Sequence, residues 1–194
     1  MTVRTPYTWV VGLTGTILSG KSTALAAFAK EGVFTLSADE IVHCLYQKPS
    51  VQRQLKKYFG TTDTTEISHK LFREKILRSR WEKYIHPLVL KEAMQKIRAA
   101  KCRWAVFEVP LLFEARIDKR TDWNVLVMAD DKTLSARLKG RKMSRAEYER
   151  RLKCQFPQAK KQALADIILF HKTKEELVRK VKHFCKSFSV LTQN

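Results

Sequence analysis

Gly15, Gly20, Lys21 and Ser22 stand at the spacing Gly-x-x-x-x-Gly-Lys-Ser. These residue types at this spacing handle phosphate. Backbone N–H groups of a glycine-bearing loop converge on phosphate oxygens, an ammonium reaches the outer phosphates, and a hydroxyl ligates a divalent cation. The expected nucleotide-binding residues are Gly15, Leu18, Ser19, Gly20, Lys21, Ser22 and Thr23, with Lys21 on the β- and γ-phosphates and Ser22 on Mg²⁺. A carboxylate follows at Asp39. A fixed carboxylate can orient or deprotonate an attacking alcohol; the same residue can also cap the helix after it. Further on, Arg137 and Arg141 lie four apart, on one face of a helix. Guanidinium groups pair bidentately with phosphate and stay charged, so both are candidates for donor contact, with Arg141 the candidate for stabilising transition-state charge. Arg150 and Arg151 point to different faces of their helix, so at most one of them acts directly.

These groups need a frame. The apolar run 9–13 before the loop reads as a buried strand and 23–30 after it as a helix, the setting a phosphate loop requires. Four further strands are predicted at 33–36, 104–109, 122–128 and 166–170, each short and strongly apolar. Helices are predicted at 40–47, 50–58, 66–79, 86–100, 131–141 and 144–155, with a last helix from Thr173. Pro87 suits the first turn of its helix, where a missing N–H costs nothing, and Leu90, Ala93, Met94 and Ile97 form an apolar stripe behind it. Ser144 with Glu147, and Thr173 with Glu176, are capping boxes. Leu177, Val181, Phe184, Cys185 and Phe188 give the last helix a core-facing side. Apolar strands separated by helices imply an α/β fold, a parallel sheet of five strands covered on both faces. Ligands of such sheets bind at the C-terminal strand ends, where Gly15, Asp39 and Pro110 fall.

The chain has 194 residues, enough for one good core. Its polar N-terminus and the absence of any bilayer-length apolar run point to a cytoplasmic protein without membrane contact. Four dispersed cysteines and five histidines show no metal-ligand spacing, which argues against zinc. Thirty-eight basic residues against nineteen acidic give a net charge of +19, more than two polyphosphate substrates require. Eleven of the basic residues fall within 132–161, beside only Glu147 and Glu149.

Over nearly its whole length the chain resembles the dephospho-CoA kinase family. The resemblance is carried by Val11-Gly-Leu-Thr-Gly15 leading into Ser19-Gly-Lys-Ser-Thr23, by Ala38-Asp-Glu-Ile41, by His86-Pro-Leu-Val89 and by Val109-Pro-Leu-Leu-Phe-Glu114. Arg137-Leu-Lys-Gly-Arg141, Gln155 and Ala165-Asp-Ile167 follow in the family's order. It implies Mg²⁺-dependent phosphoryl transfer from ATP to the ribose 3′-hydroxyl of dephospho-CoA. It also implies a P-loop NTPase core (about 1–39, 101–136 and 163–194), a helical acceptor-binding insertion (about 40–100) and a helical lid (about 137–162). Asp39, His86, Pro110 and Leu111 then belong to the acceptor site, with His86 either touching the acceptor or capping its helix. Glu108 either acts on Mg²⁺ through water or is a buried carboxylate paired with a lysine.

The chain departs from the family's pattern at several positions. Thr16 and Leu18 replace common glycines, Ser37 and Glu108 replace common aspartates, and His171 replaces a frequent asparagine. Of these, a β-branched Thr16 forced to positive φ would cost about 1–3 kcal/mol. Two other readings compete: another small-molecule or nucleoside monophosphate kinase, and a P-loop protein that lost turnover and binds nucleic acid. The Pro-Leu-Leu-Phe-Glu segment opposes the first. The second lacks aromatics interleaved with the lysines, so nucleic acid is not the expected partner. The sequence is silent on oligomeric state.

Overall fold

The computed structural model describes residues 8–140 and 144–191. Five strands, β1 (Trp9–Gly15), β2 (Phe34–Ser37), β3 (Trp104–Glu108), β4 (Trp123–Ala129) and β5 (Ile167–His171), form one sheet in the order β2-β3-β1-β4-β5. Every pairing is parallel, with Val11 opposite Val106 on one side and Trp123 on the other. Residues alternate across this sheet because side chains of a strand point to opposite faces. Ala105 and Phe107 join one apolar cluster while Trp104 and Val106 join the other. The second cluster packs beneath α1 (Lys21–Lys30) and α9 (Lys174–Leu191), and the expected stripe Leu177, Val181, Phe184, Cys185 and Phe188 is buried there. The first lies under α2 (Ala38–Tyr46), α3 (Pro49–Phe59), α4 (Thr64–Arg73) and α5 (Lys75–Ala99). The five-stranded parallel sheet between helices is as the residue pattern implies.

The helices of the first layer differ from the sequence reading. The segment 66–79 is not one helix: it breaks at Glu74, which is extended at φ −111° and ψ 93°. No helix begins at Pro87; α5 runs 25 residues straight through it. A proline inside a helix costs about 3 kcal/mol, because its N–H is missing and its ring crowds the preceding turn. Trp81, Ile85, Val89, Ala93 and Ile97 recur every four residues on both sides of Pro87, and all are buried. Large side chains of this kind contribute about 1.5–3 kcal/mol each on burial, so the continuous apolar face outweighs the proline. Pro87 itself is exposed.

Beyond β4 come α6 (Asp131–Gly140), α7 (Arg145–Lys153) and α8 (Gln158–Leu164), the last not foreseen in the sequence. Ser144 caps α7 by accepting the Glu147 N–H at 3.1 Å, and Thr173 caps α9 by accepting the Glu176 N–H at 3.1 Å, the forward half of each expected capping box; the Glu147 and Glu176 carboxylates turn instead to Arg151 and to the Lys172 N–H. The five strands end at Gly15, Ser37, Glu108, Ala129 and His171, so these residues ring one edge of the sheet.

Candidate active site

The phosphate loop leaves β1 at Gly15 and enters α1 at Lys21. Gly15 admits no side chain: a Cβ there would lie 2.5 Å from the Val127 carbonyl oxygen and 2.4 Å from Ser19 Oγ. The Ser19 N–H closes the turn on the Thr16 carbonyl at 3.1 Å, and Gly20, at φ 104°, leads into the helix. The first N–H groups of α1 have no partner within the helix and, with its dipole, favour an anion. The strain expected at Thr16 sits instead at Leu18, whose φ is 67°. Thr16 stays out of the left-handed region, so its β-branch is no obstacle. Lys21 Nζ folds back over the loop to donate to the carbonyls of Gly15 (3.1 Å) and Thr16 (3.0 Å). From α6, Arg137 Nη1 donates to the Leu18 carbonyl at 2.8 Å. Arg141 lies outside the described residues.

Opposite the loop stand two carboxylates. Asp39 is in the first turn of α2, whose N-cap is Ser37, so Asp39 is not the cap that one reading allowed. Burial raises its proton affinity, the charges of Lys21 and Arg151 oppose that, and Glu40 adds to it. Glu108 ends β3 and is buried; Ser37 Oγ donates to its Oε2 at 3.0 Å. Burial pushes its pKa up, Lys21 pulls it down, and the Asp39 charge raises it again. Both acids thus feel the Lys21 ammonium.

Around them opens a cavity of about 1020 Å³. Leu18, Gly20, Lys21, Ser22, Thr23 and Arg137 line it, as do Asp39, His86, Glu108, Pro110 and Leu111. Gly15 and Ser19 shape the loop from beneath without lining the cavity. His86 faces the cavity from mid-α5, so helix capping is excluded; burial lowers its pKa and favours the neutral ring.

Sequence reasoning missed the far wall. Arg78, Glu82, Ile85 and Val89 of α5 and Phe72 of α4 line the cavity. Their spacing of three and four was the available signal, hidden by starting a helix at Pro87. Of the arginine pair, Arg151 is the one at the cavity: its Nη2 pairs with Glu147 Oε1 at 2.6 Å and its guanidinium lies 5.1 Å from the Phe72 ring centre.

Lys161, nominally part of the basic segment, is fully buried. Its Nζ donates to Glu114 Oε1 and to the Pro110 carbonyl, both at 3.0 Å. Burial lowers its pKa and Glu114 opposes this. The same Glu114 oxygen accepts the Phe156 N–H at 2.6 Å, and Gln155 Oε1 accepts the Ile17 N–H at 3.3 Å. The chain leaving α7 is thereby tied to both the phosphate loop and the segment after β3.

Among the described residues no group of three or more His, Cys, Asp or Glu side chains is arranged to hold a metal. The cavity instead offers the Ser22 hydroxyl with nearby carboxylates, all hard oxygen donors. That set fits Mg²⁺, which keeps its waters and takes one or two protein oxygens beside substrate phosphates. No helix among the described residues is long and apolar enough to cross a membrane.

A family model described as dephospho-CoA kinase matches residues 9–176. A dephospho-CoA kinase of Fusobacterium nucleatum is 30% identical over 188 residues, covering 92% of this chain and 97% of the relative. One of Agrobacterium fabrum is 34% identical over 169 residues, covering 82% and 87%. Among solved structures, a Thermus thermophilus protein superposes with a TM-score of 0.83 at 24% identity, covering 93% of this chain and 97% of its own. Dephospho-CoA kinase from Campylobacter jejuni superposes at 0.63 with 20% identity, covering 92% and 98%. Shikimate kinase from Bacteroides thetaiotaomicron reaches 0.55 at 15% identity, covering 93% and 98%. At these identities the structural likenesses speak to the fold.

Proposed function

The chain belongs to the dephospho-CoA kinase family, and on that premise we propose how its residues divide the work of phosphoryl transfer. The protein is an ATP-dependent kinase that phosphorylates the ribose 3′-hydroxyl of dephospho-CoA, giving CoA and ADP. The observation that carries our assignment is Asp39, on the cavity wall within the field of Lys21 and Arg151.

The loop amides and Lys21 hold the donor phosphates. Ser22, and through water Glu108, would hold Mg²⁺, which would supply charge neutralisation for the donor phosphates. Asp39 accepts the proton of the 3′-hydroxyl, and that oxygen forms its bond to the γ-phosphorus. The bond from that phosphorus to the bridging oxygen breaks, and ADP leaves with its electron pair. The partial desolvation of Asp39 assists, since a carboxylate with raised proton affinity is a stronger base. Arg137 and Arg141 act on the donor side. Arg151, opposite Asp39, neutralises charge near the acceptor. Residues of about 40–100, with His86, Pro110 and Leu111, bind the acceptor, and about 137–162 form a lid; the cavity shared by α4, α5 and α7 supports that division.

Coupled ADP-release assays with and without dephospho-CoA test the assignment. Lys21→Ala should lose turnover together with ATP affinity. Asp39→Asn should lose about 10²–10⁴-fold in kcat while ATP binding stays largely intact. Near-normal turnover in Asp39→Asn would remove its role as base.

A further inference from the structure

His171 is the last residue of β5 and is completely buried. Its Nε2 lies 2.8 Å from the Ser19 carbonyl oxygen of the phosphate loop, and its Nδ1 lies 3.1 Å from the Thr173 carbonyl oxygen. Both partners can only accept. A neutral imidazole has one N–H, so in either tautomer one ring nitrogen would turn its lone pair on a carbonyl oxygen. Only the doubly protonated ring satisfies both contacts, and a buried mismatch of this kind is expensive.

We propose that His171 acts as an imidazolium bridge, a positioning residue that holds the turn at Ser19 and Gly20 in the shape that receives the phosphates of ATP. A Cβ on Gly20 would sit 3.1 Å from His171 Nε2 and 3.0 Å from Arg137 Nη1, so the turn is clasped between the two. A hydrogen bond to the Ser19 carbonyl polarises the peptide it shares with Gly20 and strengthens the Gly20 N–H as a donor.

The charged groups on the packed elements have their own bonds. Lys21 turns to the carbonyls of Gly15 and Thr16, and Arg137 donates to the Leu18 carbonyl. Asp130, whose N–H meets the His171 carbonyl at 3.3 Å, gives its carboxylate to the Thr133 N–H. Glu176 of α9 takes the Lys172 N–H and the Lys180 ammonium. The ring thus stands beside Arg137 at the back of the phosphate loop and holds the Ser19 carbonyl in place there.

This inference rests on the phosphate loop being the ATP site, and Lys21→Ala keeps the two failures apart. ATP affinity, KM for ATP and kcat are measured for wild type, His171→Asn and Lys21→Ala, with nitrogen NMR of the histidine rings in the ATP-bound wild-type protein. Both His171 ring nitrogens should carry protons there. His171→Asn should bind ATP about tenfold more weakly, with the defect on KM for ATP more than on kcat. A ring with one bare nitrogen, or unaltered ATP affinity in His171→Asn while Lys21→Ala loses ATP, overturns the bridge alone. Normal ATP binding by Lys21→Ala overturns the bridge and the loop assignment together.

Discussion

Replacing Lys161 by methionine removes the cation that joins α8 to the segment after β3 and keeps most of the side-chain volume. In the native protein its Nζ lies 3.0 Å from Glu114 Oε1 and 3.0 Å from the Pro110 carbonyl, with the lysine side chain fully buried and that of Glu114 12% exposed. In an effective dielectric of about 20, charges at that separation attract by about 5–6 kcal/mol. Taking each ion out of water costs several kcal/mol, so the intact pair comes out close to neutral. Lys161→Met forfeits the attraction while Glu114 stays desolvated, its Oε2 already without a hydrogen-bond partner among the described residues. The expected loss is about 3–5 kcal/mol, a large part of a typical total of about 5–15 kcal/mol. For a chain of this size that lowers Tm by roughly 6–20 °C. Adding Glu114→Gln removes the stranded charge and keeps an oxygen for the Phe156 N–H, so the double variant should regain about 2 kcal/mol over Lys161→Met. Urea unfolding of the four proteins completes the cycle. A loss below about 1 kcal/mol in Lys161→Met, or a double variant no more stable than the single one, would show that this pair is not an ionic node.

Glu108→Gln should trade activity for stability. Because the folded-state pKa of Glu108 is raised by burial, its contribution to stability is complete below the unfolded pKa and lost as pH rises through the folded one. At neutral pH the carboxylate therefore burdens the fold, and the amide, still able to accept from Ser37, should raise Tm by a few degrees, about 2–4 °C per kcal/mol, while slowing turnover; a lower Tm contradicts this. The raised pKa of Asp39 places the acid limb of kcat above the usual carboxylate range, with activity lost as pH falls, and a pH–rate profile that stays flat to about pH 4 would refute the base assignment. Pro87→Ala restores an N–H inside α5 and should stabilise the protein by about 1–2 kcal/mol after allowing for the freer unfolded chain. Thermal melts decide it, and a destabilised variant would mean that α5 depends on the proline.

How much of the site could be read in the chain depended on how local its cause was. The phosphate loop was legible because all its parts lie within one strand, one turn and one helix; Gly15 is forced by contacts a side chain could not survive and Gly20 by its φ of 104°. The strands were legible because both faces are covered, which leaves near-continuous apolar runs. Asp39 was legible from its place after the second strand. The start of α5 was misread because Pro87 is a local stop signal, whereas the buried row from Trp81 to Ile97 that overrides it depends on the layer packed against it. The strain misassigned to Thr16 follows from the path of the loop, which the residue types alone left open.

The order of residues by itself determined that this chain makes a parallel sheet, that a phosphate-gripping turn follows the first strand, and that Asp39 comes directly after the second strand. These follow from propensity, periodicity and short-range sterics. Only the tertiary structure decided that Arg151 rather than Arg150 faces Asp39, that Lys161 is buried against Glu114 instead of solvated, and that His171 reaches Ser19. Those outcomes turn on burial and on hydrogen bonds between residues 47 or more positions apart (114 to 161 is the nearest of them), and a charge or a ring carries no mark of its environment until the elements around it have packed.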